Sequence, residues 1–212
     1  MIIADLQYFP PVSFFSTSFT ETNVVFNECD VYRKMSFRNR CLIAGANNLI
    51  GLSIPLEGGR QQKVAMKELR VSETEPWQKQ HWRSLTSAYN RSPFFDHYAQ
   101  ELEKLYQTKA LFLLDWNRTC MEWIKAKTGW PPAIHFLSSE LSEVQTGEKR
   151  FLTDGGILQD WRNRLMPKNY LSFPAPVYHQ VFGETRGFQA NLSVLDLLFN
   201  AGPQSATILA GL

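Results

Sequence analysis

The chain has 212 residues, of which 44% are hydrophobic and 20% charged, a composition close to the average of soluble globular proteins and a length that allows a large core. Its 22 basic and 20 acidic residues are interspersed and give a formal net charge of +2, which excludes the concentrated positive surface of a duplex-binding protein, so we expect no nucleic-acid partner. No run of 18 apolar residues occurs, and the first residues lack the basic start of a signal peptide. We therefore expect no transmembrane segment and a cytoplasmic location.

The first third of the chain is predicted to be rich in strands. Pro10 and Pro11 interrupt it and can open a short aromatic helix that runs through Val12 to Phe19. Apolar runs bounded by turn residues predict the strands themselves: MIIADL, NVVFNECD, the hairpin of SFRNRCLIAG with NLIGLSIPL, and KVAMKELRV.

The rest of the chain alternates helices with further strands. Apolar residues recur with a helical period in three middle segments, 75–90, 94–107 and 111–124, and in an apolar segment from Ser193 to the Gly202-Pro203 break. Two more strands are expected near Ile134 and Val177. Together the elements predict one mixed α/β domain over residues 1–212, with a central β-sheet built from the N-terminal strands and these two, and with helices packed against it.

One stretch, residues 142–168, has the weakest pattern. It is polar and contains Gly147, Gly155 and Gly156. A stretch of this length without periodicity predicts a lid or flexible loop within the domain.

The run SFRNRCLIAG carries two arginines and a cysteine. If the whole run is a strand, alternation places Arg38 and Arg40 on one face and Cys41 on the opposite, apolar face. A thiol in apolar surroundings is expected to be buried and unreactive. The two guanidinium groups would lie about 7 Å apart and could hold one phosphate or diphosphate. A solvated face paired with carboxylates is the alternative, and the spacing leaves both open.

Histidines and cysteines give no metal pattern. The four histidines show no HxH, HxxxH or HExxH spacing, and the three cysteines form no CxxC pair, so neither a metal site nor a disulfide framework is predicted. His81 lies on a predicted helix beside Trp77 and Trp82. It is either a general base or a half-buried, hydrogen-bonded histidine.

A polar stripe crosses the apolar segment near the C-terminus. Ser193, Asp196 and Asn200 fall at i, i+3 and i+7 among leucine, valine and phenylalanine. Ser193 and Asp196 could cap the helix; alternatively, Asp196 and Asn200 face a ligand or clamp the preceding loop. No GxxxxGK[ST], GxGxxG or GxSxG motif occurs, which disfavours kinases, nicotinamide enzymes and α/β-hydrolases, and no cofactor is expected.

Several stretches taken together resemble the WbqC-like family of bacterial proteins, in the same order and over nearly the whole chain. They are QYFPPVSFF, YRKMSFRNRCLIAG, LSIPLEGG, WQKQHWRSLTSAYNRSPFFDHY and YHQVFGETRGFQANLSVLDLLFNAGPQS. Members are typically encoded among genes for O-antigen, capsule and related surface polysaccharides. The family's recurrent positions fall here on Tyr8, Pro10, Arg38, Asn39, Arg40, His81, Tyr89, Pro93, Phe94, Asp196, Asn200, Gly202 and Pro203.

The resemblance implies a cytoplasmic role in bacterial surface-polysaccharide biosynthesis. Its implied activity is a group transferase acting on a sugar nucleotide or a lipid-diphosphate-linked sugar, in contact with polysaccharide-assembly enzymes. His81 and Asp196 are the candidate catalytic residues, and the candidate substrate-binding residues are Arg38, Asn39, Arg40, Tyr8 and Asn200. The alternative is a non-catalytic accessory protein that binds a glycosyltransferase or a carbohydrate through an aromatic surface.

The chain departs from the family pattern at its start. Many members open with Gln-Pro-x-Tyr-x-Pro, whereas this chain has Asp5 and Leu6 in place of the Gln-Pro pair. If these two residues line a pocket, we expect the substrate to differ from that of other members.

Overall fold

A computed structural model of the protein describes residues 1–58, 63–139, 143–144, 150–153 and 156–211. The described strands are β1 (Ile2–Ala4), β2 (Asn23–Asn27), β3 (Arg40–Ile43), β4 (Ile50–Ser53), β5 (Ala133–Leu137), β6 (Glu143–Val144), β7 (Arg150–Thr153) and β8 (Gly156–Asp160). The helices are α1 (Val12–Thr17), α2 (Trp77–Tyr89), α3 (Phe95–Gln107), α4 (Leu113–Thr128), α5 (Gly183–Arg186), α6 (Val194–Ala201) and α7 (Ser205–Ala210). The predicted mixed α/β class is confirmed.

The main sheet has the strand order β5-β2-β1-β8-β7-β6 in the described part of the chain. The first four of these strands run parallel, whereas β7 and β6 are antiparallel to their neighbours. All three residues of β1 are buried, as expected for a central strand covered on both faces. The carboxyl ends of β5, β2, β1 and β8 therefore meet at one edge of the sheet.

The hairpin prediction is confirmed, but its position is not. β3 and β4 pair antiparallel from Arg40 opposite Ser53 to Ile43 opposite Ile50, and they form a separate two-stranded sheet rather than part of the central one. The strand also begins later than predicted. Phe37–Asn39 is a 3₁₀ turn in which the amide of Arg38 donates to the Ser36 hydroxyl. Cys41 is 1% exposed, as predicted.

Two predicted strands are absent from the described residues. Val177 lies in irregular chain and is 77% exposed, because Pro174 and Pro176 deprive this stretch of the amide donors that a sheet needs. The run around Met66 forms a 3₁₀ turn, Met66–Glu68. The amides of Met66 and Lys67 donate to carbonyls of the turn that follows β2, which curls the chain there.

The predicted lid, residues 142–168, lies partly outside the described residues. Its described parts contain β6, β7 and β8, and β8 joins the sheet beside β1, where Ile2 pairs with Gln159 and Ile3 with Asp160. Residues 142, 145–149 and 154–155 are not described, and both the lid and the single-domain organisation stay predictions.

Helix α3 packs against α2 and α6, and α4 also packs against α6. The Tyr89 hydroxyl of α2 accepts a hydrogen bond from the Ala44 amide, directly after β3, and Asn117 of α4 donates to the Leu6 carbonyl after β1.

All eight residues of α6 are buried, and its N-cap Ser193 accepts a hydrogen bond from the amide of Leu195, so the Ser193 part of the predicted cap is present. The Asp196 part is not, because the Ser193 amide donates to the Leu42 carbonyl instead. Among the described helices, none combines the length and the apolar composition that a membrane-spanning segment needs.

Candidate functional site

Polar and charged residues gather where the parallel strands end. Asp5 follows β1, Glu28 and Asp30 follow β2, Ser138 follows β5, and Arg162 follows β8. Ligands of open parallel sheets bind outside the carboxyl ends of the strands, where the connections of neighbouring strands diverge. The chain leaves β1 toward β2, whereas β8 lies on the other side of β1. The gap between β1 and β8 is thus the place where this topology predicts a ligand.

A buried ion pair lies at the end of β1. The Arg38 guanidinium donates to Asp5 Oδ1 at 2.5 Å, and the two side chains are 3% and 2% exposed. Asp5 Oδ2 accepts a hydrogen bond from the Asn163 amide at 2.7 Å, and Arg38 also donates to the Val31 carbonyl. Arg38 is therefore occupied by protein groups and positions Asp5.

A second arginine links β2 to β8. Arg162 Nη1 lies 2.8 Å from Asp30 Oδ1 and its Nε lies 3.0 Å from Asp160 Oδ1. Burial raises the pKa of Asp30, and the nearby Arg162 lowers it without cancelling the effect of burial; Arg38 and Asp5 are close enough to contribute as well. A buried carboxyl with a raised pKa at a strand end is a candidate proton acceptor.

These five residues form what we call the acid–arginine cluster: Asp5, Asp30, Asp160, Arg38 and Arg162. Its three carboxyl groups outnumber its two guanidinium groups, each of which is already paired. Such a cluster favours a ligand group that is cationic or donates hydrogen bonds over one that is anionic.

A cavity of about 220 Å³, here called the edge cavity, opens beside the cluster. Its lining consists of Ala4, Asp5, Gln7, Phe14, Thr17, Trp161, Arg164, Leu165, Phe173 and Pro174. Gln7 is 2% exposed, and its Nε2 donates to the Leu165 carbonyl at 3.4 Å. Its Oε1 has no hydrogen-bond partner within the described part of the chain, which leaves one buried acceptor to be satisfied by a ligand or by water.

The departure from the family pattern falls at this cavity. Asp5 lines it, whereas Leu6 is buried in the main core. A different substrate was expected if the two residues that replace the Gln-Pro pair line a pocket. Asp5 does so here, and Leu6 does not.

A separate polar network surrounds His81. Its Nδ1 lies 2.9 Å from the Tyr8 hydroxyl, which is also hydrogen-bonded to the Tyr106 hydroxyl at 2.5 Å. Burial lowers the pKa of His81 to about 4, and a hydrogen bond with the backbone of Ser53 opposes this effect only in part. His81 is thus a neutral, hydrogen-bonded imidazole at pH 7.

The free energy of unfolding is expected to fall by up to about 3 kcal/mol between pH 7 and pH 4 on account of His81. Its pKa in the folded protein is about 4, below the value of about 6.5 in an unfolded chain. The stabilisation is complete above pH 6.5, and it is lost as pH falls because the unfolded chain takes up the proton first. Urea unfolding at several pH values should show a shallower decline for His81→Asn than for the wild type. Parallel curves for the two proteins would mean that His81 is not buried as a neutral group.

A third network is centred on Asp196. This carboxylate accepts hydrogen bonds from the hydroxyls of Tyr89 at 2.8 Å and Tyr178 at 2.7 Å and from Gln180 Nε2 at 2.9 Å. Asp196 is fully buried, and burial raises its pKa. Gln180 in turn exchanges two hydrogen bonds with the backbone of Gln189. Of the alternatives raised by the sequence, this geometry corresponds to a clamp on the loop that precedes α6.

The structure places the predicted site residues in different surroundings. Asn200 bonds back to the carbonyl of Asp196, and Asn39 bonds to Tyr32 and to the Ile54 carbonyl. Arg40 lies in β3, and its buried Nε has no partner among the described residues. Tyr8 joins His81, whereas Arg38 joins Asp5. Apart from the Tyr8–His81 and Asn200–Asp196 hydrogen bonds, no side-chain hydrogen bond or ion pair between described residues joins one predicted site residue to another. Their predicted roles stay predictions.

Sequence reasoning missed Gln7, Asp30 and Arg162. Asp5 and Asp30 follow short apolar runs closely, and polar residues at the ends of buried strands are the pattern that could have revealed them. Arg162 falls in the stretch without periodicity, where no strand was predicted. Among the described residues, no group of three or more histidine, cysteine or acidic side chains has the geometry to hold a metal ion.

Comparison with known proteins identifies the family. No solved structure matches the chain. One relative is the uncharacterized protein Rv1507c of Mycobacterium tuberculosis (strain ATCC 25618 / H37Rv), 25% identical over 227 aligned residues that cover 98% of this chain and 96% of the relative. The resemblance noted in the sequence is confirmed, since the model of the WbqC-like protein family matches residues 7–208. The chain belongs to the WbqC-like protein family.

Proposed function

We propose that the protein is a cytoplasmic group transferase of bacterial surface-polysaccharide biosynthesis, acting on a sugar nucleotide or a lipid-diphosphate-linked sugar. One observation carries this proposal: the acid–arginine cluster and the edge cavity adjoin each other at the carboxyl ends of β1 and β8. A charged cluster beside an enclosed cavity at this point of a parallel sheet is the usual setting of a small-molecule site. Polysaccharide-assembly enzymes would then be its partners in the cell.

In this proposal Asp30 is the proton acceptor. Its carboxyl group is 11% exposed and its pKa is raised by burial, which brings it closer to the range in which a base works near neutral pH. A hydroxyl or amine of the acceptor sugar gives its proton to Asp30 while its lone pair bonds to the transferred group, and the donor's leaving group departs with the electron pair. Because the cluster has an excess of carboxyl groups, it suits an acceptor sugar that carries an amine better than one that carries a phosphate.

The two arginines of the cluster then have a positioning role. Arg38 fixes Asp5 and Arg162 fixes Asp30. The assignment from the sequence, with Arg38 and Arg40 on a diphosphate and His81 or Asp196 as base, remains a competing proposal. It requires Arg38 to leave Asp5, and it requires substrate to reach His81 or Asp196, which are at most 5% exposed.

Asp30→Asn is expected to lower polysaccharide production at least 100-fold in cells whose own copy of the gene is deleted, because the amide cannot accept the proton. The side-chain carbonyl oxygen of the new amide still accepts a hydrogen bond from Arg162, so the fold should be kept. Surface polysaccharide is measured by gel electrophoresis and by mass spectrometry of the sugar.

The matched control is Asp96→Asn, which changes an exposed carboxylate at the start of α3 and should leave production intact. Full production by Asp30→Asn together with its loss in His81→Ala or Asp196→Asn would favour the competing assignment. Full production by all three variants would contradict catalysis and favour an accessory protein.

One observation favours the alternative function, a non-catalytic accessory protein. An open groove of about 670 Å³ lies between α2 and α3, and its lining includes Trp77, Trp82 and Tyr106. Trp77 and Tyr106 are buried, so Trp82 is the ring among these three that offers surface to a partner, and tryptophan is enriched at interfaces. Trp82→Ala with Asp30 intact separates the two functions: an accessory protein loses production, whereas the proposed transferase does not.

A further inference from the structure

We infer that the edge cavity binds the base of a nucleotide, with Gln7 accepting a hydrogen bond from an N–H group of the base and Arg164 binding the phosphate at the mouth. This inference rests on the proposed function, and it selects the nucleotide-linked sugar over the lipid-linked one. It also adds a role for two residues that carry none in the proposed reaction.

The buried end of the cavity presents acceptors. Gln7 Oε1 has no partner within the described residues, while Gln7 Nε2 is engaged with the Leu165 carbonyl. The Asp5 carboxylate also lines the cavity. Its Oδ1 already accepts from Arg38 and its Oδ2 from the Asn163 amide, so each oxygen has one remaining lone pair for a ligand. The hydroxyl of Thr17 is directed to the Ser13 carbonyl. A ligand that reaches this end must therefore donate hydrogen bonds, since a buried acceptor left unpaired costs free energy.

The walls are largely apolar and aromatic. Phe14, Trp161 and Phe173 contribute rings, and Leu165 and Pro174 add apolar surface. A hexose carries hydroxyl groups around its whole ring, and most of them would lose their hydrogen bonds against such walls. A nucleobase has apolar faces and polar groups only at its edge, so it matches aromatic walls with a few acceptors at one end.

The size agrees with one ring system. The cavity volume of about 220 Å³ is below the roughly 300 Å³ at which pockets for drug-sized ligands begin. A base fills this space, whereas the ribose, the phosphates and an attached sugar would extend outward through the mouth.

The mouth carries an exposed cation. The Arg164 guanidinium lies 4.9 Å from the centre of the Trp161 ring and makes no ion pair with a described residue. A planar guanidinium held over an aromatic ring is suited to bind phosphate through two hydrogen bonds. The phosphate is thereby kept away from the carboxyl groups of the cluster, which would repel it.

The test is isothermal titration of the purified full chain with the four nucleoside 5′-monophosphates, ribose 5-phosphate and glucose 1-phosphate. GMP is expected to bind most tightly, because guanine has two adjacent N–H groups on one edge for Gln7 and Asp5, and at least tenfold more tightly than ribose 5-phosphate. Gln7→Leu should weaken the binding of GMP about tenfold and leave the binding of ribose 5-phosphate unchanged. Arg164→Ala should weaken both ligands, and Arg91→Ala, which removes an exposed arginine outside the cavity lining, should weaken neither.

Several results would overturn the inference. If glucose 1-phosphate or ribose 5-phosphate binds as tightly as every nucleotide, the cavity does not read a base, while the proposed transferase on a sugar substrate still stands. If UMP is preferred to GMP, the acceptor-lined end does not select the base. If none of the ligands binds, the nucleotide site is absent. Conversely, GMP binding together with full polysaccharide production by Asp30→Asn supports the inference and contradicts the proposed reaction.

Discussion

Replacing Arg38 by methionine is expected to lower the free energy of unfolding by roughly 3–5 kcal/mol, because it leaves the Asp5 carboxylate buried without its partner. Both side chains of the pair are almost fully buried, and they lie 2.5 Å apart. Removing one member of such a pair costs far more than the net value of the pair, since the remaining charge keeps its desolvation penalty. Urea unfolding at pH 7 measures the loss.

Two further variants make this result specific. Arg38→Met combined with Asp5→Leu should recover most of the lost stability, because no unpaired charge remains. Lys109→Met breaks an ion pair with Glu73 whose side chains are 67% and 58% exposed, and it should cost less than about 1 kcal/mol. If Arg38→Met is no more costly than Lys109→Met, then Arg38 is accessible after all, as the predicted diphosphate clamp requires.

Gly202→Ala is expected to destabilise the protein by roughly 3 kcal/mol or more, from backbone strain and steric overlap together. Gly202 has φ +53° and ψ −127°, a combination that residues with a Cβ atom avoid. A Cβ atom here would lie 2.4 Å from Cδ1 of Phe94. Phe94 Cγ would lie 2.5 Å away as well, so the overlap involves the near end of the side chain, and the Phe94 main chain is held by the hydrogen bond from its amide to the Phe199 carbonyl at 3.0 Å. Thermal or urea unfolding gives the size of the effect.

Gly187→Ala is the matched control for the backbone term. Gly187 has φ +70°, and a Cβ atom added there meets nothing within 4 Å. Its replacement should cost about 1–3 kcal/mol from strain alone, clearly less than Gly202→Ala. If the two variants lower the free energy of unfolding equally, the Phe94 side chain moves away from the added Cβ atom at no cost in stability.

The elements predicted from the sequence are those that local patterns determine. Helices α2, α3 and α4, strands β2 and β5, and the burial of Cys41 follow from periodicity that neighbouring residues carry. The burial of Arg38 and its pairing with Asp5 could not be predicted in this way. The conformation of Arg38 depends on Asp5, 33 residues away along the chain, and on the Ser36 hydroxyl that caps its turn. Alternation along a strand contains no information about such distant partners.

The candidate site was harder to predict than the fold for the same reason. Asp5, Asp30 and Arg162 are brought together only when β1, β2 and β8 align in one sheet, and β8 lies in the stretch with the weakest pattern. The segment near Val177 resembles a strand by composition, but Tyr178 and Gln180 bind the buried Asp196 instead of a neighbouring strand. Tertiary hydrogen bonds here override β-propensity.

The pairing of β1 with β8 has a consequence during protein synthesis. Ile2 pairs with Gln159, 157 positions later in the chain, so one edge of this strand has no partner until those later residues have been translated. At elongation rates of roughly 5–20 residues per second, the nascent chain carries that bare strand edge for about 10–30 s. An unpaired apolar edge is a template for aggregation, and contacts this distant in sequence slow folding. We therefore expect this edge of β1 to be the part of the nascent chain most prone to aggregation, because the early pairing of β1 with β2 covers only the opposite edge.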